Sequence, residues 1–315
     1  MKPIGGFFEL EFCKGEHYHK TALRLNSARN CFEYILRARG YEKVYIPYYT
    51  CEAILQPLKK LQVEYEFYSI DKHFELSKEI ILQSNEALLY TNYYALKQTY
   101  TNKLARIYGS QLIVDNSQAF FAPHLDGIDT FYSPRKFFGV ADGGYLYTDV
   151  FLNLNIQQDT SFDRMEHLLK RIDVDSMSAY EIFRKNEDAL DFRPMRLMSR
   201  LTEHIMCSID YERMKLARLD NYNFLHIHLG DTNKLNFDLS ADAVPMVYPY
   251  LTDDNTLKQR LIQDKIFVAT YWPNVMEWCS NGDLEYKLAT RIIPLPIDHR
   301  YGMKDMRRII DAILG

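Results

Sequence analysis

Between residues 20 and 150 short apolar runs bounded by turn residues alternate with stretches of helical periodicity. Parallel strands need a crossover of a dozen or more residues, and a helix is the usual way to fill one. The alternation therefore predicts an α/β layer fold with a mainly parallel sheet flanked by helices. KVYIP (43–47), VEYEFYSID (63–71), EALLYTN (86–92) and SQLIVDNS (110–117) read as strands, and GIDTFYS (127–133) and GGYLYTD (143–149) as extended segments. Asn26 and Ser27 are N-cap types ahead of a helix with Phe32, Ile35, Leu36 and Ala38 inward, and Gly40 stops it. CEAILQPLKKL (51–61) and TYTNKLARIYG (99–109) are the next helices.

From about 160 to 229 the pattern is helical, amphipathic and charged, and from about 243 it is mixed again. AVPMVYPYL, IFVATYWP and RIIPLPID read as strands; TLKQRLIQDK and MKDMRRIIDAIL read as helices. The predicted organisation is a large α/β domain over 1–200, then a long connecting helix and a small C-terminal α+β domain over 201–315.

Charge and cysteine usage narrow the function. A net charge of −4 with interspersed signs offers no field for nucleic acid. No apolar run reaches the ~18 residues of a membrane span, and the N-terminus lacks a signal-peptide layout, so a cytoplasmic protein with no membrane partner is expected. Five scattered cysteines without a CxxC argue for reduced thiols and against a zinc site. The pairs His17/His19 and His226/His228 would share a face on a strand, but no carboxylate or cysteine supports either, so they read as surface histidines and no metal is expected.

The stretch 113–148 carries the chemistry. An apolar strand delivers Asp115 at its carboxyl end, where open parallel sheets bind ligands. About twenty residues on, an extended segment delivers Ser133-Pro134-Arg135-Lys136, and Gly143-Gly144 precedes the next strand. A pyridine aldehyde cofactor needs an amine for a Schiff base and an anion to keep its ring nitrogen protonated. Its phosphate needs hydroxyls and amides at a helix N-terminus, which Ser27-Ala28-Arg29 can supply. Singly, each residue is more often a turn, a cap or a solvated charge; the order and spacing of the three make the case.

On these residues the chain resembles the pyridoxal-phosphate-dependent sugar aminotransferases of the DegT/DnrJ/EryC1/StrS family, within fold-type I. Ser27-Ala28-Arg29-Asn30-Cys31-Phe32 looks like the family's Ser-Gly-Thr-Ala-Ala-Leu, and Ile46-Pro47-Tyr48-Tyr49-Thr50 like its Val-Pro-Ser-Phe-Thr. Val114-Asp115-Asn116-Ser117-Gln118-Ala119 looks like Glu-Asp-Ala-Ala-Gln-Ala, and Lys136 with Gly143-Gly144 like its Lys and Gly-Gly. ATYWP and the last 25 residues resemble the family's small-domain strand and closing helix. The likeness covers most of the chain apart from roughly 150–185.

The resemblance implies that Lys136 forms the Schiff base with pyridoxal 5'-phosphate and shuttles the α-proton. Asp115 would pair with the pyridinium nitrogen and Gln118 would contact the 3-hydroxyl side. Ser27 and the amides of Ala28 and Arg29 would hold the phosphate. Phe131 stands where the family has a phosphate-binding Ser, and Ser133, on the same face of an extended strand, would substitute. Cys51 falls where an aromatic ring often stacks on the cofactor, with Tyr49 beside it. Asp191-Phe192-Arg193 looks like the family's Asn-Tyr-Arg, whose Asn reaches the partner subunit's site. The implied protein is a homodimeric aminotransferase with shared sites, moving an amino group from glutamate or glutamine to a keto sugar, most simply a nucleotide-linked one. Other pyridoxal-phosphate chemistry (dehydration or amino-acid transamination) and a non-enzymatic binding or regulatory relative are the alternatives.

Overall fold

The computed structural model describes residues 4–237 and 239–315. A seven-stranded sheet is built from β1 (Leu23–Leu25), β2 (Lys43–Pro47), β3 (Glu64–Tyr68), β4 (Glu86–Thr91), β5 (Leu112–Asn116), β6 (Asp129–Tyr132) and β7 (Gly144–Tyr147), in the order β1-β7-β6-β5-β4-β2-β3. The pairs from β3 to β6 are parallel, and β7 runs antiparallel to both β6 and β1. Helix α1 (Ala28–Arg39) follows β1, α2 (Leu55–Leu61) joins β2 to β3, and α3 (Gln98–Tyr108) joins β4 to β5. This is the α/β layer fold that the alternation predicts.

The central strands are buried on both faces, so β5 reads Leu-Ile-Val-Asp-Asn with every residue buried. Alternate residues serve two cores. Ile113, Leu89, Val44 and Phe131 pack with Phe32, Ile35 and Leu36 of α1. Leu112, Val114, Leu88 and Tyr90 face the aromatic core shared with the C-terminal part of the chain. Helix α1 has the expected caps: Ser27 Oγ accepts from the Asn30 N–H at 3.1 Å, and Gly40 ends it in the left-handed region (φ 68°). Ala38 is only half-buried, at the edge of that face.

Helices α4 (Glu166–Asp173), α5 (Tyr180–Asp188), α6 (Arg200–Cys207) and the 19-residue α7 (Tyr211–Leu229) fill the predicted helical stretch. A small unit then combines β8 (Val247–Leu251) and β9 (Ile292–Pro296), an antiparallel pair, with α8 (Leu257–Gln263), α9 (Val275–Trp278), α10 (Leu284–Arg291) and α11 (Met303–Leu314). Among the described residues no helix is long and apolar enough to cross a membrane.

Two expectations are corrected. IFVATYWP is not a strand. Its backbone is met by a side chain, because Lys258 Nζ donates to the Ala269 carbonyl at 3.2 Å and also bonds Thr270 Oγ1. His17 and His19 are not surface residues: they are 9% and 3% exposed, in the loop that packs against strand β7. His17 Nδ1 lies 2.7 Å from Tyr145 Oη, and His19 bridges Tyr147 Oη (3.2 Å) and the Phe120 carbonyl (2.7 Å). His226 and His228 lie on helix α7, not on a strand, so the geometry that would pair their rings is absent.

Candidate active site

The sheet brings Asp115 and Lys136 to one edge by register. Asp115 is the penultimate residue of β5 and stands opposite Phe131 of β6. Past the end of β6, Pro134 starts a single 3-10 turn over Pro134–Lys136. Proline suits that first position because its φ is preset and its missing N–H has no partner to lose. The turn leaves Lys136 exposed at the carboxyl ends of the strands. Its Nζ has no hydrogen-bond or ion-pair partner among the described residues and sits 5.9 Å from the centre of the Trp272 ring.

Asp115 is 8% exposed and Oδ1 accepts from the Ser117 N–H at 2.7 Å. Burial pushes its carboxyl above the usual range, while the Lys136 ammonium opposes the rise. The two act on each other at a distance, since they form no direct ion pair among the described residues.

Gln118, three residues past Asp115, is fully buried. Its Oε1 accepts from the Tyr94 N–H at 2.9 Å, and its Nε2, also buried, has no partner among the described residues. Tyr94 and Ala95 both have positive φ (56° and 64°), a conformation that costs a residue with a Cβ about 1–3 kcal/mol. The turn is tied to the small unit through the Tyr94 carbonyl, which accepts from the Met246 N–H at 3.0 Å. No glycine marks it, so the sequence carried no signal for Tyr94. Trp272 was legible only as part of an apolar run.

The N-terminus of α1 lies on the other side of the lysine turn. Ser27 and Gly143 form an isolated parallel bridge, with the Gly143 N–H donating to the Asn26 carbonyl at 2.8 Å. Ser27 Oγ is occupied with Asn30, and the Arg29 N–H makes no hydrogen bond among the described residues. Gly143 (φ 120°) is required twice over: a Cβ there would stand 2.8 Å from Pro134 Cγ of the lysine turn. Ser133 is 7% exposed, and its hydroxyl has no partner among the described residues. Phe131 turns into the core against Phe32 of α1, at 6.0 Å between ring centroids.

The remaining candidates sit further out. Tyr49 is fully buried, with Oη 2.9 Å from Tyr94 Oη and its ring edge-on to Trp272 at 5.2 Å. Cys51 is half-buried at the rim. Asp191 is engaged within its own chain: Arg29 Nη1 and Gln56 Nε2 donate to its Oδ1 at 2.8 and 2.9 Å. Asp115 and Lys136 thus stand at neighbouring strand ends, Gly143 and Gly144 link the lysine turn to Ser27 and Ala28, and Arg29 bonds Asp191.

This architecture is that of fold-type I aminotransferases. The chain is similar to DesV of S. venezuelae, solved in complex with a ketimine intermediate (17% identity, 96% of this chain and 85% of that one, TM-score 0.64). It is also similar to a DegT DnrJ EryC1 StrS aminotransferase from Brucella abortus (17%, 93% and 85%, TM-score 0.61) and to NtdA from Bacillus subtilis with bound cofactor PMP (14%, 93% and 72%, TM-score 0.65). No protein-family model matches the chain, and no curated protein matches it in sequence.

Proposed function

We propose that this chain is a pyridoxal-phosphate-dependent aminotransferase of the DegT/DnrJ/EryC1/StrS type. In this reading it moves an amino group from glutamate or glutamine to a keto sugar, most simply a nucleotide-linked one. The observation that carries the reading is the pairing of Lys136 with Asp115 at the carboxyl ends of the strands, with Gln118 three residues further along. The Lys136 amine has no partner among the described residues and acts on the buried Asp115 carboxyl, and the buried Gln118 Nε2 has nothing to donate to among them. Buried polar groups left unpaired are costly, and a ligand that accepts from Gln118 Nε2 and donates to Asp115 removes that cost. A protonated pyridine carrying a 3-hydroxyl and an aldehyde fits this donor and acceptor set.

Bound there, pyridoxal phosphate supplies the electron sink that lets a Cα–H bond of the amino donor break. Asp115 holds a positive ring nitrogen by a charge-assisted hydrogen bond. Lys136 Nζ would be the amine that holds the aldehyde end of the group and would serve as the base that moves a proton there. The hydroxyl of Ser133 and the Arg29 N–H at the positive end of α1 would receive the phosphate. Trp272 shields the amine from one side.

The same reading divides the chain into a large cofactor-binding domain (1–200) and a smaller unit (201–315), and assigns a homodimer in the cytoplasm. Its test is chemical. Protein purified with the cofactor should be yellow, and borohydride should fix the label on the peptide containing Lys136. A colourless protein, or a label on Lys97 or Lys103, overturns it.

A further inference from the structure

Asn274 is 8% exposed and stands at the N-terminus of the short helix α9. An asparagine there ordinarily turns its side-chain oxygen onto the amides of its own first turn. This one does not. Its backbone carbonyl accepts from the Glu277 and Trp278 N–H groups at 3.1 Å, and its side chain makes no cap bond. The side chain reaches instead to the loop after β2. Nδ2 donates to the Thr50 carbonyl at 2.9 Å, and Oδ1 accepts from the Glu52 N–H at 3.3 Å. Donating to the residue before Cys51 and accepting from the residue after it is the pairing that a parallel strand would give. One side-chain amide thus holds the backbone on both sides of Cys51.

The neighbours of these bonds belong to the candidate site. Two residues before Asn274, Trp272 is 7% exposed, and its ring centre lies 5.9 Å from Lys136 Nζ. One residue before Thr50, the fully buried Tyr49 meets the Trp272 ring edge-on at 5.2 Å. We propose that Asn274 is a positioning residue for the Lys136 site: it locks the Tyr49–Cys51 loop to the segment carrying Trp272, and so seats the ring that lies over the amine. The small unit also bonds the loops after β4 and β3. The Met246 N–H donates to the Tyr94 carbonyl at 3.0 Å, and Glu285 Oε1 accepts from the Ile70 N–H at 2.8 Å. Glu285, 3% exposed, therefore fastens the same two parts of the chain through a bond that involves neither Trp272 nor Tyr49. It serves as the internal control for a role in stability alone. The seating of Trp272 is a property of this chain by itself; its consequence for a bound cofactor rests on the aminotransferase reading.

The chain has two tryptophans, Trp272 and Trp278, so Trp278→Phe leaves Trp272 as a single fluorescent reporter. In this parent protein Trp272 should resist quenching by acrylamide. Adding Asn274→Ala should make it severalfold easier to quench. The same variant should release bound pyridoxal phosphate on dilution about tenfold faster, the equivalent of one buried hydrogen bond. Glu285→Ala should leave quenching and release as in the parent. Equal quenching in the parent and in Asn274→Ala overturns the proposal. So does a Glu285→Ala variant that exposes Trp272 as much as Asn274→Ala does, because Asn274 is then one fastening among several. An exposed Trp272 with unchanged cofactor release overturns the link to the site. If Asn274→Ala melts early, Asn274→Asp decides. It keeps an acceptor for the Glu52 N–H and turns its other oxygen against the Thr50 carbonyl, so a Trp272 as shielded there as in the parent overturns the role. A parent protein that takes up no cofactor overturns the aminotransferase reading, and the quenching series still decides the seating of Trp272.

Discussion

Gly144 and Ser27 are in backbone contact: a Cβ on Gly144 would lie 2.6 Å from the carbonyl carbon and oxygen of Ser27 and 2.8 Å from the Ala28 nitrogen. Strand β7 therefore presses on the N-terminus of α1 with no side chain between them. The close fit fixes the helix end relative to the lysine turn, because Gly143 abuts Pro134 in the same way.

Gly144→Ala should push β7 and α1 apart, since both clashing groups are backbone. The expected cost is about 1–3 kcal/mol, the range for overpacking a filled site. Cofactor affinity should fall with it, as the α1 amides move away from the phosphate. Thermal unfolding of the apo protein and a cofactor titration measure the two effects. A variant with native melting temperature and native affinity would show that the contact positions nothing.

Asp115→Asn tests the ring-nitrogen role without changing shape. The cofactor should still bind. The half-reaction with the amino donor should slow by a factor on the order of 10⁴, comparable to neutralising a charge-supporting carboxylate in a catalytic triad. Rapid-mixing absorbance measures this. Because burial raises the Asp115 carboxyl, its charged form is disfavoured in the apo fold, so the carboxylate costs stability as pH rises through its native pKa. Apo Asp115→Asn should therefore be more stable than wild type at neutral pH and lose that advantage in acid. Near-native turnover in this variant would refute the assignment.

The sequence made the strand–helix alternation legible because each buried strand of the sheet is a short apolar run between turn residues, as in β2 and β5. It also pointed to Asp115 and Lys136 at neighbouring strand ends, where β5 and β6 pair in parallel and the lysine turn follows β6. Relations made by tertiary packing were hidden. His17 and His19 look polar and local, yet the loop carrying them is covered because Tyr145 and Tyr147 of β7 face it. Segment 266–273 has the apolar alternation of a strand, but Lys258 takes the place of a pairing partner. Arg218 reads as one more charge on a charged helix; only the packing of α7 against Phe137 shows where it points.

His19 should make the fold acid-sensitive. Burial pushes its pKa down to about 3. The hydrogen bonds fit a neutral ring, with Nε2–H donating to the Phe120 carbonyl and Nδ1 accepting from Tyr147 Oη. A histidine depressed in the native state binds its proton in the unfolded chain first. Stability is therefore complete above the unfolded value of about 6.5 and falls by up to about 1.4 kcal/mol per pH unit below it. His17, held at about 4 chiefly by burial, acts in the same direction. Urea midpoints between pH 7 and pH 4 measure the slope. In His19→Phe the slope should flatten by nearly one proton; an unchanged slope would mean that the ring is charged or solvated in the native protein.

The proposed homodimer has a surface to test. Ten large apolar side chains between Phe151 and Phe192 are exposed, among them Phe162 (78%), Ile172 (80%) and Phe192 (64%). A monomeric surface seldom exposes large apolar side chains in such number over one stretch, and a two-fold interface covers them with its own copy. Asp191 lies at the inner end of this stretch, and its bond to Arg29 joins the patch to the N-terminus of α1. A partner docked over it is therefore adjacent to the phosphate end of the candidate site. The interface should bury about 2,000 Å² or more, the size expected of an obligate dimer. Sedimentation at micromolar concentration should show a dimer, and Phe162→Asp with Ile172→Asp should shift it to monomer and weaken cofactor binding together. A wild-type monomer with cofactor fully bound would leave this patch without a partner copy and Asp191 as a surface ion pair only.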